Sequence, residues 1–121
     1  MPDEQPRILV VEDNVFIAME VEMIISQSGC RPVGPVSNVE EGLAAARETA
    51  LDGAVLDINL GDERVWPVAD LLHDRGVPFV LATGYSADEV PERFSDRPVL
   101  HKPLRDGQLA TALAELGLVG A

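Results

Sequence analysis

Basic residues are scarce in this chain: nine Lys and Arg stand against 21 Asp and Glu, a formal net charge of -12. Nucleic-acid backbones are bound by neutralising their phosphates with Lys and Arg. The acid excess therefore argues against nucleic acid and for cations or proteins with basic surfaces. Cysteine is scarcer still. Cys30 stands alone, which excludes an internal disulfide, predicts a reducing compartment, and reads as a small buried hydrophobe rather than a reactive thiol. No apolar run approaches the roughly 20 residues that span a bilayer. The first residues, MPDEQPR, lack the basic n-region of a secretory signal. A cytoplasmic protein with no membrane partner is expected. His73 and His101 share no ligand spacing with each other or with Cys30, so zinc is not indicated.

What is present is an ordinary globular composition, 46% hydrophobic and 25% charged. A chain of 121 residues is read as one domain spanning 1–121 with no output domain, long enough to bury roughly two thirds of its unfolded surface. Two hydrophobic periods alternate along it. RILVV (7–11) is a continuous apolar run, as expected of a strand buried on both faces. Residues 14–28 carry a helical period that stops at Gly29. RPVGPV (31–36) holds two prolines and fits only a sheet edge. The spacing of Ser37 and Glu40 predicts a capping box opening a second helix. GAVLDI (53–58) is a third strand, followed by a loop with a tight turn at Gly61 and a solvated Asp62-Glu63. A short helix comes next around 67–76, with Trp66 packing at its start. VPFVLAT (77–83) and RPVLHKP (97–103) complete the strands, and a helix over 105–117 turns Leu109, Leu113 and Leu116 inward. SADEVPERFSD (86–96) leaves room for at most one short helix, before Pro91. Five βα units predict a parallel sheet with helices on both faces. Ligands of such sheets lie beyond the carboxyl ends of the strands.

Those ends collect unusual side chains: Glu12 and Asp13 after the first strand, Asp57 after the third, Thr83 after the fourth, His101 and Lys102 after the fifth. Any one acid reads as a solvated loop residue; the set does not, because the topology brings all of them to one rim. Three close carboxylates ionise together only around a cation. All-oxygen donors select a hard ion, Mg2+ above all, with Mn2+ as the alternative. Lys102 adds a point positive charge and Thr83 a neutral donor, an arrangement suited to a phosphoryl group in transfer. Asp carboxylates act as nucleophiles of that kind, and Asp57 lies on the strand expected mid-sheet.

The motifs VVEDN, VLDIN, LATG and HKP resemble, in order and over essentially the whole chain, the receiver domains of two-component response regulators. The resemblance implies a flavodoxin-like (βα)5 fold, doubly wound, with a five-stranded sheet of order 2-1-3-4-5. It implies that Asp57 accepts a phosphoryl group from the phosphohistidine of a sensor histidine kinase or histidine phosphotransferase. Mg2+ would sit on Asp13, Asp57 and the Asn59 backbone carbonyl, with Glu12 helping through water. Lys102 and Thr83 would contact the phosphoryl oxygens, and the Lys102-Pro103 bond would be cis.

The sequence also departs from the family. Val99 stands where receivers usually carry an aromatic switch residue, which leaves Tyr85 as a substitute switch or as a loop residue over the site. LATGY resembles a stand-alone subgroup marked by Phe-Ala-Thr-Gly, with Leu81 in place of its Phe. The Met-Pro common after the phosphoacceptor is replaced by Leu60-Gly61, and the fourth helix is short. On the first helix, Ile17, Val21, Ile24 and Ile25 form a stripe toward the sheet. Phe16, Met19 and Met23 form a second stripe, which either packs under the last helix or docks a kinase's helical bundle. Three functions compete: a phosphorylated receiver that switches contacts with an unknown downstream protein (messenger, shuttle or phosphate sink), a non-phosphorylated binding module, and a haloacid-type aspartyl-phosphate phosphatase. The last needs Asp-x-Asp, and Asp57-Ile58-Asn59 lacks its second acid.

Overall fold

β1 (Arg7–Val11) is an interior strand of a five-stranded parallel sheet, and its alternate residues enter different cores. Leu9 and Val11 join one apolar cluster, Ile8 and Val10 the other. A strand covered on both faces has no polar side, which is why RILVV shows no period of two. This is a computed structural model, and it describes residues 5–84, 89–105 and 107–118.

The remaining elements are α1 (Val15–Gln27), β2 (Arg31–Val36), α2 (Val39–Glu48), β3 (Gly53–Asp57), a small hairpin β4 (Asn59–Leu60) and β5 (Glu63–Arg64), α3 (Trp66–Asp74), β6 (Phe79–Thr83), a 3-10 turn (Glu92–Phe94), β7 (Val99–His101) and α4 (Gln108–Glu115). The sheet order is β2-β1-β3-β6-β7. With the hairpin set aside, this is the 2-1-3-4-5 order of a flavodoxin-like fold. α1 and α4 cover the face lined by Ile8, Val10 and Val55, where Val21, Ile25, Leu109 and Leu113 pack. α2 and α3 cover the face of Leu9, Val11, Leu56 and Leu81. No helix among the described residues is long and apolar enough to cross a membrane.

Local chemistry sets the boundaries. Asn14 caps α1 by accepting from the N–H groups of Phe16 and Ile17. After the C-cap Ser28, Gly29 takes φ +85°, a left-handed turn that ends the helix. The proline-containing strand lies at the sheet edge, as its missing donors require.

Several expectations are corrected. The cap of α2 is Asn38, not Ser37: Asn38 Oδ1 accepts from Glu41 N at 2.8 Å, while Glu41 reaches back to Ser37 N. The capping pair is thus displaced by one residue from the Ser37/Glu40 spacing. Ala18 joins the buried stripe of α1, with Ile17 and Ile24 only partly covered. Phe16, Met19 and Met23 do not pack under the last helix; Phe16 is 81% exposed and both methionines are more than half exposed. In α4 the inward residues are Leu109, Ala112 and Leu113, whereas Leu116 is the half-buried C-cap. A 3-10 turn, Glu92–Phe94, follows Pro91, and the short helix expected before Pro91 falls mostly outside the described residues. Asp62-Glu63 is exposed, yet Glu63 belongs to the hairpin and accepts from Val39 N at the start of α2. Gly61 does make the tight turn, at φ +63°.

Phe94, carried by that 3-10 turn, is buried against the α3 side of the sheet. It stacks on Trp66 with ring centroids 6.0 Å apart and meets Phe79 edge-on at 5.3 Å. One aromatic side chain thereby closes the core beside α3.

Candidate functional site

The parallel register aligns the strand ends. Val11 pairs with Leu56, Asp57 with Ala82, and Thr83 with His101, so the residues just past each strand emerge at one edge. Backbone bonds fix the exits: Glu12 N donates to Val36 O, Ile58 N to Ala82 O, and Lys102 N to Thr83 O, each at 2.9 Å. Side-chain positions at this rim are therefore inherited from the sheet.

Glu12, Asp57 and Thr83 are buried, at 5%, 3% and 0% exposure, and Asp13 is open to solvent. Lys102 Nζ lies 2.9 Å from Glu12 Oε1 and 3.0 Å from Asp57 Oδ2. One oxygen from each of Glu12, Asp13 and Asp57 lies within 4.8 Å of the others. Asn14 N donates to Glu12 Oε2, and Asn59 N donates to Asp57 Oδ1 at 3.2 Å. The Asn14 contact was not anticipated, although an Asn before an apolar helical period is a legible N-cap. This one residue starts α1 and orients Glu12.

The electrostatics are strained in one direction. Burial pushes the Asp57 carboxyl up from 3.8 to about 7; hydrogen bonding to and repulsion from Glu12 add to this, and Lys102 opposes it without prevailing. For Lys102, burial favours the neutral amine, but its contacts with Glu12 and Asp57 outweigh burial and raise its pKa. One ammonium faces three carboxylates, so the rim is short of positive charge. Oxygen donors alone, two of them buried and one open, fit a hard divalent cation retaining water.

The structure thus brings Glu12, Asp13, Asp57, Thr83 and Lys102 to one edge, with Asn59 adjoining. The Lys102-Pro103 bond is cis, as is Gly34-Pro35. Val99 sits in β7 opposite Leu81, half-buried against the α3-side core. His101 is exposed at the strand end. Tyr85 lies outside the described residues. Trp66 is the first residue of α3, packed on Phe94 as a structural residue. The hairpin after Asp57 escaped sequence reading, because two-residue ladders leave no periodic signal.

No family model matches the chain. Among curated proteins it is 30% identical over 122 residues to the phyllosphere-induced regulator PhyR of Methylorubrum extorquens; the match covers 93% of this chain but 44% of that protein. Among solved structures, SdrG from Sphingomonas melonis Fr1 is 46% identical, with 93% of this chain and 96% of that one covered and a TM-score of 0.82. The BeF3-activated conformation of SdrG from Pseudomonas melonis Fr1 matches at the same identity and coverage with a TM-score of 0.77. A response regulator receiver protein from Sinorhizobium medicae WSM419 is 27% identical, covers 93% and 94% of the two chains, and has a TM-score of 0.80. Sheet order, rim chemistry and these likenesses agree: this chain belongs to the receiver domains of response regulators.

Proposed function

We propose that Asp57 is the phosphoacceptor of a two-component phosphorelay and that phosphorylation switches the protein's contacts with other proteins. The observation that carries this reading is the placement of the buried Asp57 carboxylate 3.0 Å from Lys102 Nζ, beside Glu12 and Asp13. An Asp57 oxygen forms a bond to phosphorus as the P–N bond of a phosphohistidine breaks, and the electron pair returns to the imidazole. The donor is a sensor histidine kinase or a histidine phosphotransferase. Lys102 holds a phosphoryl oxygen by charge, and the Thr83 hydroxyl donates to another. Asp13, Asp57 and the Asn59 carbonyl would hold Mg2+, with Glu12 helping through water, and the ion would supply positive charge to the transferred group. The protein turns over only its own aspartyl phosphate, as a messenger, a shuttle or a sink in the cytoplasm. The BeF3-activated state known for SdrG supports a phosphoryl-dependent switch here. A single receiver unit over 1–121 is proposed. The chain spans 44% of the length of PhyR, so no partner of PhyR as a whole is carried over.

Kinase docking is assigned to α1. Val15, Phe16, Met19 and Met23 are its exposed large hydrophobics, Glu20 is exposed beside them, and α1 contains no basic residue. A helical surface with apolar knobs and a basic rim complements this face. The deciding experiment is phosphodonor labelling: Mg2+-dependent incorporation that stops at one equivalent and is lost in Asp57→Asn is expected. Continuous release of phosphate from small phosphomonoesters would sink the proposal in favour of a phosphatase.

A further inference from the structure

Residues 89–97 form a strap along the outer side of α3, fastened at four points. Glu89 pairs with Arg64, Phe94 stacks on Trp66, Arg93 makes a two-pronged bond to Asp70 at 2.8 and 3.0 Å, and Arg97 Nη2 lies 2.8 Å from His73 Nδ1. The fastenings are unequal. Phe94 is fully buried, and Arg97 also lies over the Phe79 ring at 4.4 Å. The leading fastening is the loosest: Arg64 Nε to Glu89 Oε1 is 3.4 Å, with half of the Arg64 side chain exposed. The other Glu89 oxygen is buried and has no hydrogen-bond partner among the described residues. Leaving a buried acceptor unmade weakens the closed arrangement.

That loosest point is also the one closest along the chain to Asp57 and Thr83. Arg64 stands directly opposite Asn59 in the β4–β5 ladder, two residues beyond Asp57. Glu89 follows Thr83 by six residues. β3 and β6 are neighbours, with Asp57 in register with Ala82. The pair therefore ties the chain leaving the Asp57 strand to the chain leaving the Thr83 strand.

We propose that Arg64 and Glu89 are positioning residues forming an electrostatic latch, closed in the structure described and opened by negative charge added at Asp57. The latch rests on the reading of Asp57 as phosphoacceptor. A phosphoryl group brings about two negative charges, which draw the guanidinium of Arg64 and repel the carboxylate of Glu89. Both effects act against the pair, because Arg64 and Glu89 lie on the segments that leave the Asp57 and Thr83 strands; salt screens them over a length of about 8 Å. Guanidinium also prefers the bidentate geometry of phosphate oxygens. Freed at Glu89, the strap stays anchored at Phe94, Arg93 and Arg97, so the change is confined to its leading end and to the turn over 64–66 that loses its partner.

The test is the initial rate of Mg2+-dependent labelling by acetyl phosphate in wild type, Glu89→Gln, Arg64→Ala and the double variant. Emission of Trp66, the only tryptophan, is read in parallel. A half-exposed pair of this kind is worth up to about a fivefold change in rate. Glu89→Gln is expected to label up to about fivefold faster than wild type, and the same substitution in the Arg64→Ala background to add nothing. Beryllofluoride with Mg2+ is expected to shift Trp66 emission in wild type toward the value of unliganded Glu89→Gln. A merely structural pair would lower Tm without this rate pattern. A gain of equal size in both backgrounds means that only charge near the site matters and overturns the latch, as does a Glu89→Gln rate equal to wild type. If wild type itself takes up no label, the phosphoacceptor reading falls and the latch with it, which separates the two failures.

Discussion

Lys102 Nζ lies 3.0 Å from Asp57 Oδ2, although 45 residues separate the two in the chain. The approach is set by backbone bonding of β7 to β6 and of β6 to β3, and it makes Lys102 the one side-chain cation in contact with both buried acids among the described residues. Removing a partner from a buried pair is costly because a charge is left uncompensated, typically about 3–5 kcal/mol. Lys102→Met should therefore destabilise the metal-free protein by roughly that amount at pH 8. At pH 5, where a proton replaces the lost cation on Asp57, the deficit should shrink. Urea denaturation at both pH values measures it; equal losses would contradict the account.

The raised pKa of Asp57 fixes a pH dependence with a definite sign. Its folded value is about 7 against an ordinary 3.8, so between these values the folded state binds more protons than the unfolded. The group's destabilising effect is absent below about pH 4, grows as pH rises, and is complete above about pH 7. Metal-free wild type should therefore lose stability from pH 4 to 7, by a few kcal/mol in order of magnitude. Asp57→Asn should flatten this part of the curve. Thermal melts across the range, in EDTA, test both.

Divalent cation binding should compete with that proton. Apparent Mg2+ affinity is expected to fall below pH 7, approaching about tenfold per pH unit, with proton release on binding at pH 6. Calorimetry in two buffers of different ionisation enthalpy reads the proton count. Binding without proton release would mean that Asp57 is already ionised.

Phe94→Ala removes the side chain that closes the core between α3 and β6. A loss of about 3–5 kcal/mol is expected, typical of deleting a buried phenyl ring, with a much smaller loss for Phe94→Leu. A change under 1 kcal/mol in Phe94→Ala would show that the 3-10 turn is not part of the cooperative core.

Met23→Glu should leave acetyl phosphate labelling unchanged and slow transfer from the kinase by about 30-fold, as for an interface hot spot. Met23 is exposed on α1, nine residues beyond the N-cap Asn14 that adjoins the rim, so only docking is expected to be touched. Equal transfer from the kinase in a folded variant would remove α1 from the interface.

Much of the molecule was legible in the primary structure because strong regularities write themselves there. The unbroken apolar runs of β1, β3 and β6 announced strands covered on both faces, and the two prolines of Arg31–Val36 announced an edge. The order of strand-end acids, Thr and Lys marked out the rim. The α2 cap falls one residue beyond the Ser37/Glu40 spacing because Ser37 and Asn38 are both good caps and only the chain's entry angle selects between them. The α1 stripe was ambiguous for a related reason: Phe16, Met19 and Met23 have the spacing of a packed face, and whether a neighbouring helix reaches them is a matter of packing.

The sequence by itself determined the fold class, the strand ends and the kinds of side chain they deliver, since these depend on local periodicity and on the handedness of βα crossovers. Only the tertiary structure decided how those side chains share charge and which surfaces stay open. It put Lys102 on both Glu12 and Asp57, raised Asp57 by burying it, left the second stripe of α1 in water, and strapped Glu89 to Arg64 across two loops. Each of these depends on distances between residues far apart in the chain, and no local pattern encodes such distances.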